Sequence, residues 1–241
     1  MAKPLTQESI DLFRQTRRET KLSPVVIHCN YLINLAAADD LLLAKSCESF
    51  REEVERAILL GVDYLVVHPG SARGAPEDKG IARCAAGLKV ACKGLKLRGL
   101  TILLENTAGQ GESIGYRFEH LRAIMDECPK LPLGVCFDTA HAFTSGYDIR
   151  DEDGLRATIQ ALSRTVGIKN VRAVHFNDSR APYNSRVDRH WHIGEGHIGG
   201  DALCRVARHP KLAHAAFILE TPYDNPRVDT KNLERLRSFV R

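Results

Sequence analysis

Six short apolar runs recur along the chain at nearly even spacing, and each ends in, or just before, an imidazole or a carboxylate. The runs are Val25–His28, Tyr64–His68, Thr101–Glu105, Gly134–Asp138, Val171–Phe176 and Ala216–Glu220. They are rich in Val, Ile and Leu, and polar alternation is weak, as in strands covered on both faces. Helical periodicity fills the gaps. Phe50, Val54, Ala57 and Ile58 share one face of residues 46–61, and Gly61 stops that helix. Ile81, Ala85, Leu88 and Cys92 share a face in the next gap. Further helices are expected over Phe118–Glu127, Gly154–Val166, Ala202–Arg208 and Lys231–Val240. An opening helix is expected over Gln7–Thr20, with Thr6 as its N-cap. This alternation predicts an α/β fold: a parallel sheet with crossover helices.

The six terminal groups are His28, His68, Glu105, Asp138, His175 and Glu220, separated by 40, 37, 33, 37 and 45 residues. Parallel strands all run one way, so the six side chains emerge at a single face. Taken singly, a histidine or carboxylate at a strand end is most simply a capping or packing residue. Six together at one end of an apolar sheet would bury repelling charge without compensation. Metal ions remove that difficulty, and imidazole with carboxylate suits zinc, manganese or iron. His141 follows Asp138 by three residues, and Asp188 and His190 form D-x-H in a long polar loop. Nine donors exceed the coordination of one ion and suit two or three. Such clusters activate water and neutralise a leaving oxygen in phosphate-ester hydrolysis.

Other segments are less specific. Arg180, Arg186 and Arg189 in the same loop are candidates for phosphate contacts, against the simpler view of a solvated basic loop. Tyr31 and Leu32 form an apolar pair shortly after His28, read as loop packing or as a wedge for a base stack. His192 and His197 read as loop histidines, and His120, His209 and His214 as ordinary helical or exposed ones. The G-Q-G of residues 106–115 departs from a dinucleotide fingerprint, and its glycines let the backbone bend beside Glu105. The net charge of +4 permits an anionic substrate without requiring one. Seven irregularly spaced cysteines without C-x-x-C read as reduced thiols of a cytoplasmic protein. No signal-peptide core or membrane-length apolar run is present in the sequence.

Seven ordered motifs resemble the endonuclease IV family of abasic-site endonucleases, within the xylose-isomerase-like TIM barrels. They are HCNYLINL at 28–35, HPGS at 68–71, LENTAGQG at 104–111, GVCFDTAHAFTSGYD at 134–148, HFND at 175–178, SRVDRHWHIGEGHIG at 185–199 and ILET at 218–221. The resemblance spans about residues 4–222 and implies one domain over residues 1–241, of (β/α)8 TIM-barrel type. Only six strand–helix units are visible, so the first two strands of such a barrel are expected to be lacking, with the first and last visible strands left as edges. The resemblance also implies three Zn2+ ions, with Mn2+ possible at one or more sites. His28, His68 and Glu105 would hold one. Glu105 would bridge to a second, held also by Asp138, His175 and Glu220. His141, Asp188 and His190 would hold the third. Glu105 and Glu220 would be catalytic, orienting the water that attacks phosphorus on the 5′ side of an abasic site. Tyr31 and Leu32 would fill the abasic gap, with Arg186 and Arg189 on the backbone. The partner implied is double-stranded DNA with abasic sites, in the cytoplasm and at the nucleoid, with no membrane and no obligate protein partner.

Two other functions fit part of the pattern. A single-metal sugar isomerase or epimerase would need only Glu105, Asp138, His175 and Glu220, leaving His141, Asp188 and His190 unexplained. A non-catalytic lesion binder would keep the DNA contacts without cleavage.

Overall fold

A computed structural model describes residues 4–223 and 225–240 of the chain. Six strands form one parallel sheet: β1 (Val26–His28), β2 (Tyr64–Val67), β3 (Thr101–Glu105), β4 (Leu133–Asp138), β5 (Val171–His175) and β8 (Ala216–Ile218), in that spatial order. Between β5 and β8 the chain makes a small antiparallel pair, β6 (Asp178–Ser179) with β7 (His190–Trp191). The helices are α1 (Gln7–Thr20), α2 (Asp40–Leu60), α3 (Glu77–Ala91), α4 (Phe118–Glu127), α5 (Thr139–Thr144), α6 (Glu152–Thr165), α7 (Gly200–Ala207) and α8 (Pro226–Val240). The sheet curls into a half-barrel with β1 and β8 at its margins. No described helix is long and apolar enough to cross a membrane.

Period-two alternation divides the apolar side chains between the two faces. Leu65, Val67, Ile102, Leu104, Val135, Phe137 and Val174 face outward and pack with Phe50, Val54, Leu88, Phe118 and Leu121 of the helices. Phe50 and Phe118 are fully buried there. Burial of each such ring contributes about 1.5–3 kcal/mol. The alternate residues Val66, Leu103, Cys136 and Ala173 form a separate layer on the concave face, joined by Val26 and Tyr64.

Helix boundaries follow the capping chemistry. Thr6 accepts from the Ser9 amide at the start of α1, and Gly61 closes α2 in the left-handed region at φ 70°. Some boundaries differ from expectation. α2 begins at Asp40, where Asp39 accepts from the Leu42 amide, because its exposed first turns carry no buried apolar period. α8 begins at Pro226 rather than Lys231. β2 and β8 stop short of His68 and Glu220, which stand just past the strand ends. Pairing of β4 with β5 slips between Val135 and Cys136: Val135 opposes Val171 and Cys136 opposes Ala173, leaving Arg172 as an extra, exposed residue.

Candidate metal centre

Each strand-end donor follows a residue on the concave side by two positions, so the pleat aims it the same way. The pairs are Val26 and His28, Val66 and His68, Leu103 and Glu105, Cys136 and Asp138, Ala173 and His175, and Ile218 and Glu220. Cross-strand register keeps them in phase, with His28 opposite Val66, Glu105 opposite Cys136, and Asp138 opposite His175. The Glu105 carboxylate is fully buried at the centre. Its Oε2 lies 3.1 Å from His28 Nε2 and 3.3 Å from His68 Nε2; its Oε1 lies 3.0 Å from His175 Nδ1 and 3.3 Å from His141 Nδ1. Glu220 Oε2 is 2.9 Å from the same His175 nitrogen.

Five overlapping donor groups result among the described residues, each with its atoms within 4.8 Å of one another, and three of them together hold eight of the nine expected donors. These three are His28, His68 and Glu105; Glu105, Asp138, His175 and Glu220; and Asp138, His141 and His190. Asp188 joins the third group, its two oxygens 3.2 Å from His141 Nε2 and 3.6 Å from His190 Nε2. The sequence anticipated a turn between Asp138 and His141. The structure has the short helix α5 there, with Asp138 Oδ1 capping it by accepting from the His141 amide at 2.6 Å.

The electrostatics call for positive charge. Burial disfavours the imidazolium of His141, but Asp138, Asp188 and Glu105 outweigh it and hold its pKa well above the usual value. His28 and His175 are likewise raised against burial, chiefly by Glu105. Burial would raise the carboxyls of Glu105 and Asp188. The surrounding imidazoles instead keep Glu105 well below the normal range and Asp188 at about 2. Buried anions that hold protons on neighbouring imidazoles are suited to divalent cations, which can replace those protons. Imidazole nitrogen and carboxylate oxygen fit zinc or manganese.

A polar frame holds these donors in place. Asn106 bridges β3 to β4, accepting from the Asp138 amide at 2.8 Å and donating to the Asp138 carbonyl at 3.0 Å. Its own carbonyl lies 2.9 Å from His141 Nδ1. The Asn177 amide group donates to Asp138 Oδ2 at 2.7 Å, and its oxygen accepts from the Glu220 amide at 2.8 Å. Fully buried Asp178 accepts four backbone amides, those of Ser179, Gly196, Ile198 and Gly199, and so folds the loop that follows β7. Gln110 Oε1 accepts from the Asp188 amide at 2.8 Å, which ties the D-x-H segment to the glycine-rich loop after β3.

The surrounding loops carry the other sequence candidates. Tyr31 and Leu32 are 84% and 69% exposed on a tight turn after β1, where Asn30 Oδ1 accepts from the Leu32 amide. Arg180, Arg186 and Arg189 are all exposed. The Arg186 guanidinium rests 4.0 Å from the centre of the Tyr116 ring, and Tyr116 Oη donates to Glu77 at 2.5 Å. His192 and His197 stay outside the donor groups: His192 Nδ1 lies 3.1 Å from Asn232 Nδ2 of α8, and His197 is exposed. His120 is helical as expected, within α4, but buried, and its Nδ1 accepts from the Gly115 amide at 3.1 Å. Sequence reasoning missed the frame residues Asn106, Asn177 and Asp178. It also missed Cys136, which lies with Glu105 and His175 in one of the two remaining donor groups, the other being His28, His175 and Glu220. Period two would have found Cys136, two residues before Asp138 on one strand face.

A family model described as a xylose isomerase-like TIM barrel matches residues 1–239. A protein of Solibacter usitatus named as a probable endonuclease 4 is 52% identical over 234 residues, covering 96% of this chain and 81% of that protein. The chain belongs to the endonuclease IV family. Endonuclease IV from Thermus thermophilus superimposes with a TM-score of 0.88 at 40% identity, covering 100% of this chain and 84% of that one. A D-tagatose 3-epimerase-like protein shares the fold with a TM-score of 0.74 at 22% identity, over 98% of this chain and 83% of its own. In this member of the endonuclease IV family, the donors and their asparagine frame lie in the segments that carry the strand ends.

Proposed function

We propose that the chain is a zinc-dependent repair endonuclease that hydrolyses the DNA phosphodiester on the 5′ side of an abasic site. The observation that carries this reading is the convergence of nine donors on one pole of the sheet in three overlapping groups. A sugar isomerase of the same fold would have use for the Glu105, Asp138, His175 and Glu220 group but not for His141, Asp188 and His190. Family membership, and the endonuclease names of its relatives, support the same choice.

His28, His68 and Glu105 would hold one ion, Glu105, Asp138, His175 and Glu220 a second, and His141, Asp188 and His190 a third. Bound zinc supplies Lewis acidity to the scissile phosphate and lowers the pKa of water. The chain itself supplies position and charge. Glu220 is partly exposed beside buried Glu105, so its carboxylate faces the space an attacking water enters. Burial raises the Glu220 carboxyl, but the hydrogen bond from His175 wins and keeps it ionised, as a water-orienting acceptor requires. Tyr31 and Leu32 would enter the gap left by the missing base, and Arg186 and Arg189 would contact phosphates near Asp188.

The direct test is incubation of the zinc-loaded chain with a duplex bearing one tetrahydrofuran abasic analogue, which resists β-elimination. A cut 5′ to the analogue that is absent with Glu220→Ala is the expected result. Intact duplex at three zinc per chain would overturn the reading. Two further outcomes follow. Below about pH 6.5, raised imidazole pKa values stabilise the metal-free fold fully, and that contribution fades as pH rises through the raised values. Zinc must displace those protons, so adding it to metal-free protein in weak buffer near pH 7 will acidify the solution. A pH electrode reading no change would contradict the imidazolium cluster. Asn177→Ala frees both Asp138 and the Glu220 backbone, and a drop of about 10–100-fold in metal affinity is expected by competition with a chromogenic chelator.

A further inference from the structure

A second concave region lies at the opposite pole, beneath the N-terminal ends of the strands. A cavity of about 560 Å³ opens where three chain reversals meet: the residues between α1 and β1, between α2 and β2, and those just before β3. Its size falls in the range of small-molecule sites. Leu22, Ile58, Leu60 and Leu100 give it an apolar floor, and Arg14, Arg18, Lys21 and Arg98 stand around it. Among the described residues, no carboxylate lies within ion-pairing distance of these four cations. The fifth cation, Arg17, is the wall rather than a free group. Its guanidinium is spent on the Gly61 carbonyl and on Asp63 Oδ2 at 2.5 Å, and the same carboxylate accepts from the Val25 amide.

The backbone adds an independent observation. Lys21 and Arg98 both adopt left-handed conformations, at φ 55° and 51°. Glycine is the easy residue there, as Gly61 shows in the third reversal at φ 70°. Lys21 closes α1 as Gly61 closes α2, and Arg98 stands in the turn beside Gly99 ahead of β3, so two cations at the cavity rim take a conformation disfavoured for them. Strain of this kind concentrates at ligand-holding positions.

We propose that this cavity binds a small phosphate ester of mononucleotide size. Arg14, Arg18, Lys21 and Arg98 hold its phosphates, and its ring lies on the leucine and isoleucine floor. Guanidinium groups match phosphate geometry with paired N–H donors, and an apolar floor beside them favours a ligand with both an anionic and a flat apolar part. The site is separate from the nine donors, which crown the C-terminal strand ends.

The test is calorimetric titration of ADP into the full metal-loaded chain, repeated with Lys21→Gly/Arg98→Gly and with Arg18→Gln. The glycine pair relaxes the backbone while removing charge, so its melting temperature should stay within a few degrees of wild type. One cavity equivalent of ADP should bind the wild type, weaken at least tenfold in both variants, and weaken further with added salt. Cleavage of the abasic duplex should be unchanged in both variants. Equal ADP affinity in all three proteins would overturn the proposal. So would unchanged ADP binding with weaker affinity for an undamaged duplex, which would make this pole a nucleic-acid contact. If the glycine pair fails to fold, Arg18→Gln decides alone.

Discussion

Glu105→Gln is expected to slow abasic-site cleavage by about 10²–10⁴-fold and to release roughly two of the three ions proposed to bind. The side chain keeps its volume, so packing is preserved and the charge alone is removed. That charge faces four imidazoles at 3.0 to 3.3 Å, in a position with no exposure. Removing one partner of a buried ionic set costs about 3–5 kcal/mol, equivalent to about 10²–10⁴-fold in an equilibrium or a rate. The new amide also turns N–H groups toward nitrogens that need an acceptor. Both ends are measurable: metal equivalents by mass spectrometry, and single-turnover cleavage at saturating enzyme. A Gln variant with full metal content and activity within tenfold of wild type would refute the central role of this carboxylate.

Asp178→Ala should be the most destabilising substitution outside the donor set. Its buried carboxylate accepts from the amides of Ser179 at 2.7 Å, Gly196 and Ile198 at 3.0 Å, and Gly199 at 3.3 Å. Hydrogen bonds to a charged group are worth about 1.5–3 kcal/mol each, and water will recover part of four lost ones, leaving a cost of about 3–5 kcal/mol. For a chain of this size that is a fall of roughly 10 °C in Tm. The damage should reach the metal centre, because Asp178 and Ser179 pair with Trp191 and His190. Gly196→Ala tests the same cage from the other side. A Cβ there would sit 2.4 Å from the Ser179 carbonyl oxygen and 2.5 Å from Asp178 Oδ1. Calorimetry on both variants, with metal content, reads the prediction; an Asp178→Ala protein melting within 2 °C of wild type would refute it.

The strands and most helices were legible because their signal is local. Phe118–Glu127 and Gln7–Thr20 match the expected helices end to end, the first marked by its buried face of Phe118, Leu121 and Ile124 and the second by its Thr6 cap. The early turns of α2 were not legible, because Leu41 and Leu42 are exposed and announce no buried face. The donors stood out through spacing and residue type. Asn106, Asn177 and Asp178 did not, since an asparagine that orients a backbone 32 or more residues away looks like any polar loop residue in the sequence. Arg172 was invisible for a related reason: only the pairing of β4 with β5 reveals it as surplus.

The bulge that takes up that surplus residue acts as a phase corrector. Were β4 and β5 paired without the slip, Asp138 would stand opposite Val174, and His175 would turn its ring to the helices instead of to Glu105. All six strands must be in step for the donors to meet, and one slip anywhere removes a ligand from the cluster. Metal uptake in this protein is therefore an audit of strand register: a chain folded with the right topology but the wrong phase would be compact, yet unable to hold its ions.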